Sequence, residues 1–277
     1  MDELELIEEL DREQGEWVSE FTDALAVLLS AVSSEIDSLL GRMLLNGRAT
    51  TADELRSNMR MLTMWQADLP GLIDRLGYRQ SVATLATNMG TGAGTLIKYF
   101  QSIDPTFTGT EYTALVGRLT ELTRSILVTG MEANVSRVIS ETLNWSVLTK
   151  STASEIRTAL KQQLDANGLA VRNLSLLADD AVHTFSRGYS SAIAEGLGLE
   201  HYLFAGTIIA TTRDFCEKRA GKVYRKSEVE SWADLSWSGK MPGTTRQTIF
   251  WYAGGRRCRH RLLPISENTY LILSKQV

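Results

Sequence analysis

Apolar residues recur along most of the chain at spacings of three and four, the period of an amphipathic helix. Leu4, Ile7 and Leu10 open one stripe. Trp17, Phe21, Leu25, Leu28, Leu29, Val32, Ile36, Leu39 and Leu40 continue it, which predicts a helix over residues 3–45. Asn46 and Gly47 supply a stop signal. Thr51 with Glu54 three residues later has the spacing of a capping box, and so starts a helix through Leu55, Met59, Leu62 and Trp65. Leu69, Pro70 and Gly71 are expected to punctuate that helix, because proline lacks the N–H of the helix ladder. A further helical stretch follows over residues 72–76.

Residues 88–94 hold three glycines and resemble a phosphate loop only superficially. A phosphate loop needs a Lys-Ser/Thr pair after its last glycine, and Thr95 and Leu96 stand there instead. A small-residue turn, or a close approach of two helices, is the better reading. Asp104-Pro105 and residues 108–110 form the next loop. Helical periodicity returns over 111–148, with Gly130 marking a break or a tight contact. Thr152 and Glu155 form a second capping box, ahead of Ile156, Leu160 and Leu164. Asn167 and Gly168 end that helix. Another runs over 169–196, turning Leu174, Leu177, Ala181, Phe185, Tyr189 and Ile193 toward a core.

The pattern changes after Gly198. Residues 201–206 and 207–212 are short and rich in β-branched and aromatic types, and read as one or two strands. Residues 213–266 are basic, aromatic and turn-rich, and residues 269–273 suit a last edge strand. The chain thus reads as mainly α: a long helical N-terminal region followed by a small α+β, turn-rich C-terminal module. The best divisions are 1–130, 131–198 and 199–277. No flexible linker separates them, so the parts are expected to pack together.

Composition agrees with this picture. Only four prolines occur in 277 residues, as a helical chain requires. No uninterrupted run of eighteen apolar residues is present, so no membrane span is expected. The acidic start predicts no secretory signal. Two cysteines do not make a disulfide framework, which points to synthesis in a reducing cytoplasm. The net charge of −4 conceals a polarity. Residues 1–60 carry fourteen acids against five arginines, and residues 211–277 carry thirteen Lys/Arg against six acids. Two surfaces with two partners are the natural inference.

The candidate chemistry lies in the basic part. Gly221 suits a hairpin turn, and Gly254 with Gly255 allows a sharp turn just before Cys258. These turns can bring Cys258 and His260 near Cys216. Two thiolates and an imidazole are zinc-type ligands, but a structural zinc site wants four. His201, His183 and Asp214 are candidates for the fourth. The ligand count favours the other reading, a pair of buried thiols with His260 bonded to a backbone carbonyl. Arg256, Arg257, Arg259 and Arg261 form a run that either contacts nucleic-acid phosphate or pairs with acidic protein groups. Asp179 and Asp180, near His183, read as exposed charges beside a core helix. No Gly-x-Ser-x-Gly elbow and no His-Glu-x-x-His pair occurs, and a lone Cys–His pair is more often structural than catalytic.

The order of these pieces resembles a known family. Arg213, Asp214 and Cys216, then Gly221 in a Gly-Lys-Val-Tyr turn, then Cys258, Arg259 and His260 ahead of Pro264, look like the C-terminal module of tailed-phage head-morphogenesis proteins, the family named after the F protein of phage Mu. The likeness covers roughly residues 130–266. Residues 253–257 replace the family's usual His-Pro-Asn lead-in to the final cysteine. The resemblance implies a multi-copy or oligomeric minor head protein, not an enzyme. Such a protein assembles in the host cytoplasm, resides in the virion at the portal vertex or capsid interior, and acts in capsid assembly and genome packaging or delivery. Its partners would be portal and capsid proteins, with non-specific contact to packaged DNA. On this reading residues 1–130 serve oligomer or portal contacts. The alternatives are a small metal- or thiol-dependent enzyme and a general nucleic-acid-binding module.

Overall fold

A computed structural model describes residues 3–164 and 169–275. The protein is 73% helical, with a small three-stranded antiparallel sheet in its C-terminal part. Seven principal helices come first: α1 Glu3–Arg42, α2 Ala52–Arg75, α3 Tyr78–Ile103, α4 Thr113–Met131, α5 Arg137–Leu148, α6 Ala153–Leu164 and α7 Leu169–Gly196. Strand β1 His201–Ala205 follows, then α8 Asp214–Glu217, β2 Val223–Arg225, α9 Lys226–Ser231, α10 Ile249–Tyr252, β3 Arg261–Ile265 and α11 Glu267–Leu273.

These elements form two compact units that interleave along the chain. One comprises Trp17–Leu85 and Arg124–Ala178; the other takes the chain up to Glu16, Ala86–Thr123, and everything from Asp179 onward. All of residues 199–277 therefore share a unit with the acidic start of α1.

The first of these units is wholly helical. The α1 stripe is buried at Phe21, Leu25, Leu28, Leu29, Val32, Ile36, Leu39 and Leu40, alongside Leu62, Leu69 and Ile73 of α2 and Ile139 and Leu143 of α5. Both capping boxes form. The Thr51 hydroxyl accepts from the Glu54 N–H while Glu54 accepts from the Thr51 N–H, and Thr152 and Glu155 repeat the arrangement. Buried Asn58 clamps the end of α1: it accepts from the Leu44 N–H at 2.9 Å and donates to the Leu44 carbonyl at 2.8 Å. One 18-residue window within Glu5–Arg42 reaches a mean hydropathy of 1.5. By length and composition alone α1 is apolar enough to cross a membrane, a test that a buried core helix also passes.

Several local expectations change here. Pro70 does not punctuate α2 but lies inside it. Pro70 is exposed while Leu69 and Ile73 on either side are buried; water can serve the carbonyl left without a donor, and the packed stripe holds the helix together. The 88–94 segment is no turn, since α3 runs straight through it. Nor is it a site of close approach at Gly90 or Gly94, where a Cβ would meet open space. Gly130 is a tight contact: a Cβ there would lie 2.6 Å from Leu177 Cδ1. A π-helical turn, Glu132–Ser136, follows it. The Asn167–Gly168 stop lies outside the described residues.

The other unit contains the sheet, ordered β2-β1-β3. Tyr202 of β1 pairs with Tyr224 on one side and Pro264 on the other. Pro264 is accommodated because β3 is an edge strand, where a missing donor leaves no ladder bond unmade. Its carbonyl accepts from the hydroxyl of buried Tyr99 at 2.5 Å. Aromatic rings run from Tyr99 through Phe100, Phe107 and Tyr112 to Tyr189 at centroid separations of 5.3–6.4 Å.

Two predicted strands are corrected. Residues 207–212 form none: Gly206, at φ 145°, turns the chain outward, Ile208 and Ile209 are half exposed, and Thr212 closes a turn back onto Ile209. Residues 269–273 are helical within α11, because the Ser266 hydroxyl caps the Thr269 N–H and starts a turn. The strand that completes the sheet is β3, five buried residues that begin with Arg261, the last of the arginine run.

Candidate functional site

Each piece of the Cys/His constellation is positioned by a different element. Arg213, extended at φ −74° and ψ 147°, precedes the single turn of α8, which turns Phe215 and Cys216 inward. Gly221 (φ 75°) makes a turn that leads into β2 rather than closing a tight hairpin, and its N–H donates to the Phe204 carbonyl at 2.9 Å. After α10 the chain reverses through Ala253 (φ 44°), Gly254 and Gly255 (φ 95°). The Cys258 N–H then bonds back to the Gly255 carbonyl.

This reversal brings Cys258 Sγ to 3.6 Å from Cys216 Sγ and 3.9 Å from His260 Nδ1. The three ligand atoms lie within 4.8 Å of one another, on residues only 2%, 3% and 4% exposed. Gly254 makes the approach possible. A Cβ there would sit 2.2 Å from Cys216 Sγ and 2.7 Å from Cys258 Sγ. Gly206 does the same for the imidazole, since its Cβ would fall 2.7 Å from His260 Cδ2. Phe204 stacks on the other part of this wall, 5.3 Å from the His260 ring and nearly parallel. Trp237 stacks on Phe215 at 4.0 Å and donates its indole N–H to the Gly254 carbonyl at 2.9 Å, fixing the turn from outside.

The contact between the two thiols dominates the electrostatics of the cluster, and α7 adds a positive charge. Arg187 is fully buried and donates to the Cys258 carbonyl. Hydrogen bonding from the Cys216 thiol, then from His260, together with the positive Arg187, holds the Cys258 thiol below its ordinary range despite burial. The same contact and burial push Cys216 up. The pair therefore favours one thiolate and one thiol. His183 is pushed down to about 3, first by burial and then by Arg187, Arg259 and His260, so its ring is neutral.

The other expected participants lie elsewhere. His201 stacks on Tyr270 at 4.2 Å, and Asp214 is exposed in the first turn of α8. His183 and Asp214 do not join the three-ligand group. Asp179 and Asp180 are not exposed charges. Asp179 meets Arg259 at 3.3 Å, and Asp180 accepts from the Arg257 N–H, so both dock the basic loop onto α7. Within the arginine run, Arg256, Arg257 and Arg259 are exposed. Arg261 is not a partner-facing residue: β3 turns it inward, where it is 3% exposed and paired with Asp11 of α1.

The sequence reading missed Arg187, Phe204, Trp237 and Asp11, and gave Gly206 no place beside the imidazole. A partial signal existed on α7, where Asp180, His183 and Arg187 recur at spacings of three and four and so share a helix face. Nothing in the sequence pairs Asp11 with Arg261. Elsewhere in this unit an open cleft of about 530 Å³ is lined by Asp104, Thr106, Phe107 and Glu111 among others. The Asp104 carboxyl is held below its usual range by the Thr106 hydroxyl and N–H, and the lining includes no histidine or cysteine.

Comparison of the chain with protein-family models, with characterised proteins and with solved structures gave no significant match.

Proposed function

We propose that this protein is a non-catalytic structural component of a tailed-bacteriophage head, associated with the portal vertex and acting in capsid assembly and genome packaging or delivery. One observation supports the reading above the rest. The residues that carry the family resemblance are scattered from Arg213 to Pro264, yet they surround one small sheet, and Cys216, Cys258 and His260 meet in its core. The burial of both thiols argues against a thiol enzyme, since neither sulfur offers a substrate an approach. Exposed Arg256, Arg257 and Arg259 are assigned to the capsid- or DNA-facing surface.

The charge polarity is reassigned in part. The acidic start of α1 belongs to the same compact unit as the basic module, and Asp11 neutralises Arg261 within it. The docking surface for portal or oligomer contacts is therefore sought on the helices beyond residue 16. Co-sedimentation with phage heads and copurification with a portal protein test the assignment. The chain is expected in head fractions that contain portal. Its absence from those fractions, together with Cys258-dependent cleavage of nucleic acid or peptide, would overturn it.

A further inference from the structure

We propose that Cys216, Cys258 and His260 bind one borderline-soft divalent ion of the zinc class through two sulfurs and one imidazole nitrogen.

Two of the three ligand separations are already close to what the ion requires, and all three lie within 4.8 Å. A tetrahedral ion bonded at about 2.3 Å to each sulfur holds the two sulfurs roughly 3.8 Å apart. Here they stand 3.6 Å apart. The corresponding sulfur-to-nitrogen separation is roughly 3.5 Å, against 3.9 Å from Cys258 Sγ to His260 Nδ1. The imidazole is held in place by Phe204 on its face and by the absent side chain of Gly206.

The unmet chemistry points the same way. His260 is 4% exposed; its Nε2 has no partner among the described residues, and its Nδ1 faces only a sulfur. A buried imidazole lacking a firm bond at either nitrogen is costly, and coordination by one of them removes part of that cost. A pair of thiols packed only for volume would not need this ring beside it. Charge also balances. Two thiolates and a divalent ion sum to zero, so the buried Arg187 guanidinium faces a neutral fragment. Binding releases one proton to solvent from each thiol that arrives protonated. The residues are legible in the sequence, but their spacing of 42 positions between the cysteines resembles no paired-cysteine motif.

The test uses the full chain, purified under reducing conditions, stripped with a chelator and titrated with Co(II). The expected result is one cobalt per chain, with thiolate-to-metal charge-transfer absorption and the intense visible bands of a four-coordinate ion, both lost on adding zinc. Cys216→Ser and Cys258→Ser should each abolish the charge-transfer band or halve it with loss of affinity. His260→Gln should weaken binding more than about a hundredfold, the upper end for residues that only support a ligand. Uptake below about 0.1 metal per chain by wild-type protein with both thiols free would overturn the site. So would a wild-type spectrum that Cys216→Ser leaves unchanged. The wild-type titration decides even if a variant fails to fold. Particle association plays no part in the readout, so failure here leaves the virion assignment standing, and failure of that assignment leaves the site standing.

Discussion

The all-helical unit and the sheet-containing unit are built from the same alphabet by different rules. In the helical unit each helix is set by its own three-and-four period and by caps such as Thr51–Glu54. In the sheet-containing unit the decisive contacts span long stretches of chain: Arg187 to the Cys258 carbonyl, Tyr99 to the Pro264 carbonyl, Asp11 to Arg261. Local rules fix elements; they do not say which distant side chains will meet. Chemistry has collected where the second kind of contact dominates.

Glycine substitutions provide the sharpest way to break this comparison. Gly254→Ala should have the largest effect, lowering stability by about 3 kcal/mol, because both sulfurs it would strike are buried against each other and cannot move aside. Thermal or denaturant unfolding followed through tryptophan fluorescence measures this. Asp11→Ala comes next. It strips a buried guanidinium of its partner, but Asp11 is itself 47% exposed, so the full penalty of a buried pair is discounted to about 2 kcal/mol. A neutral result for Asp11→Ala would separate the acidic start of α1 from the module energetically.

In the helical unit the expected effects are smaller. Thr51→Ala should cost about 1 kcal/mol, the usual worth of an N-cap, read as a shift in denaturant midpoint. The Glu54 carboxyl is held below its ordinary range by the Thr51 N–H and hydroxyl. Its contribution is therefore present above the unfolded carboxylate pKa and fades as pH falls through the folded one. Gly130→Ala should fall within about 1 kcal/mol of wild type. Its Cβ would press on the movable end of Leu177, and the gain in helix propensity offsets that crowding. A Gly130→Ala penalty as large as that of Gly254→Ala would erase the distinction between the two regions.

The same distinction explains what was legible in the sequence. The long helices α1 and α7, both capping boxes and the turns at Gly221 and Gly255 follow from period, cap and φ, each a property of a few adjacent residues. The Cys216–Cys258–His260 grouping was visible as ligand types, while its closeness depended on Gly254, whose role only three-dimensional packing reveals. The errors have one origin. Residues 207–212 and 269–273 have strand composition, but a strand needs a partner edge, and β3 took that place with residues that read as the end of a basic run. Arg261 was grouped with its exposed neighbours because charge alone does not show which face of a strand a residue occupies.

The account rests centrally on a chain reversal that sets two sulfurs, 42 residues apart, in contact behind Gly254. The most direct measurement is peptide mapping of the native, chelator-treated chain after prolonged exposure to a small disulfide-forming oxidant, which reaches the buried sulfurs through native-state opening. The predicted result is an intrachain Cys216–Cys258 link in nearly every molecule, lost when the chain is first unfolded in denaturant. Two thiols that remain separately alkylatable in the native chain, or that link only between chains, would contradict it.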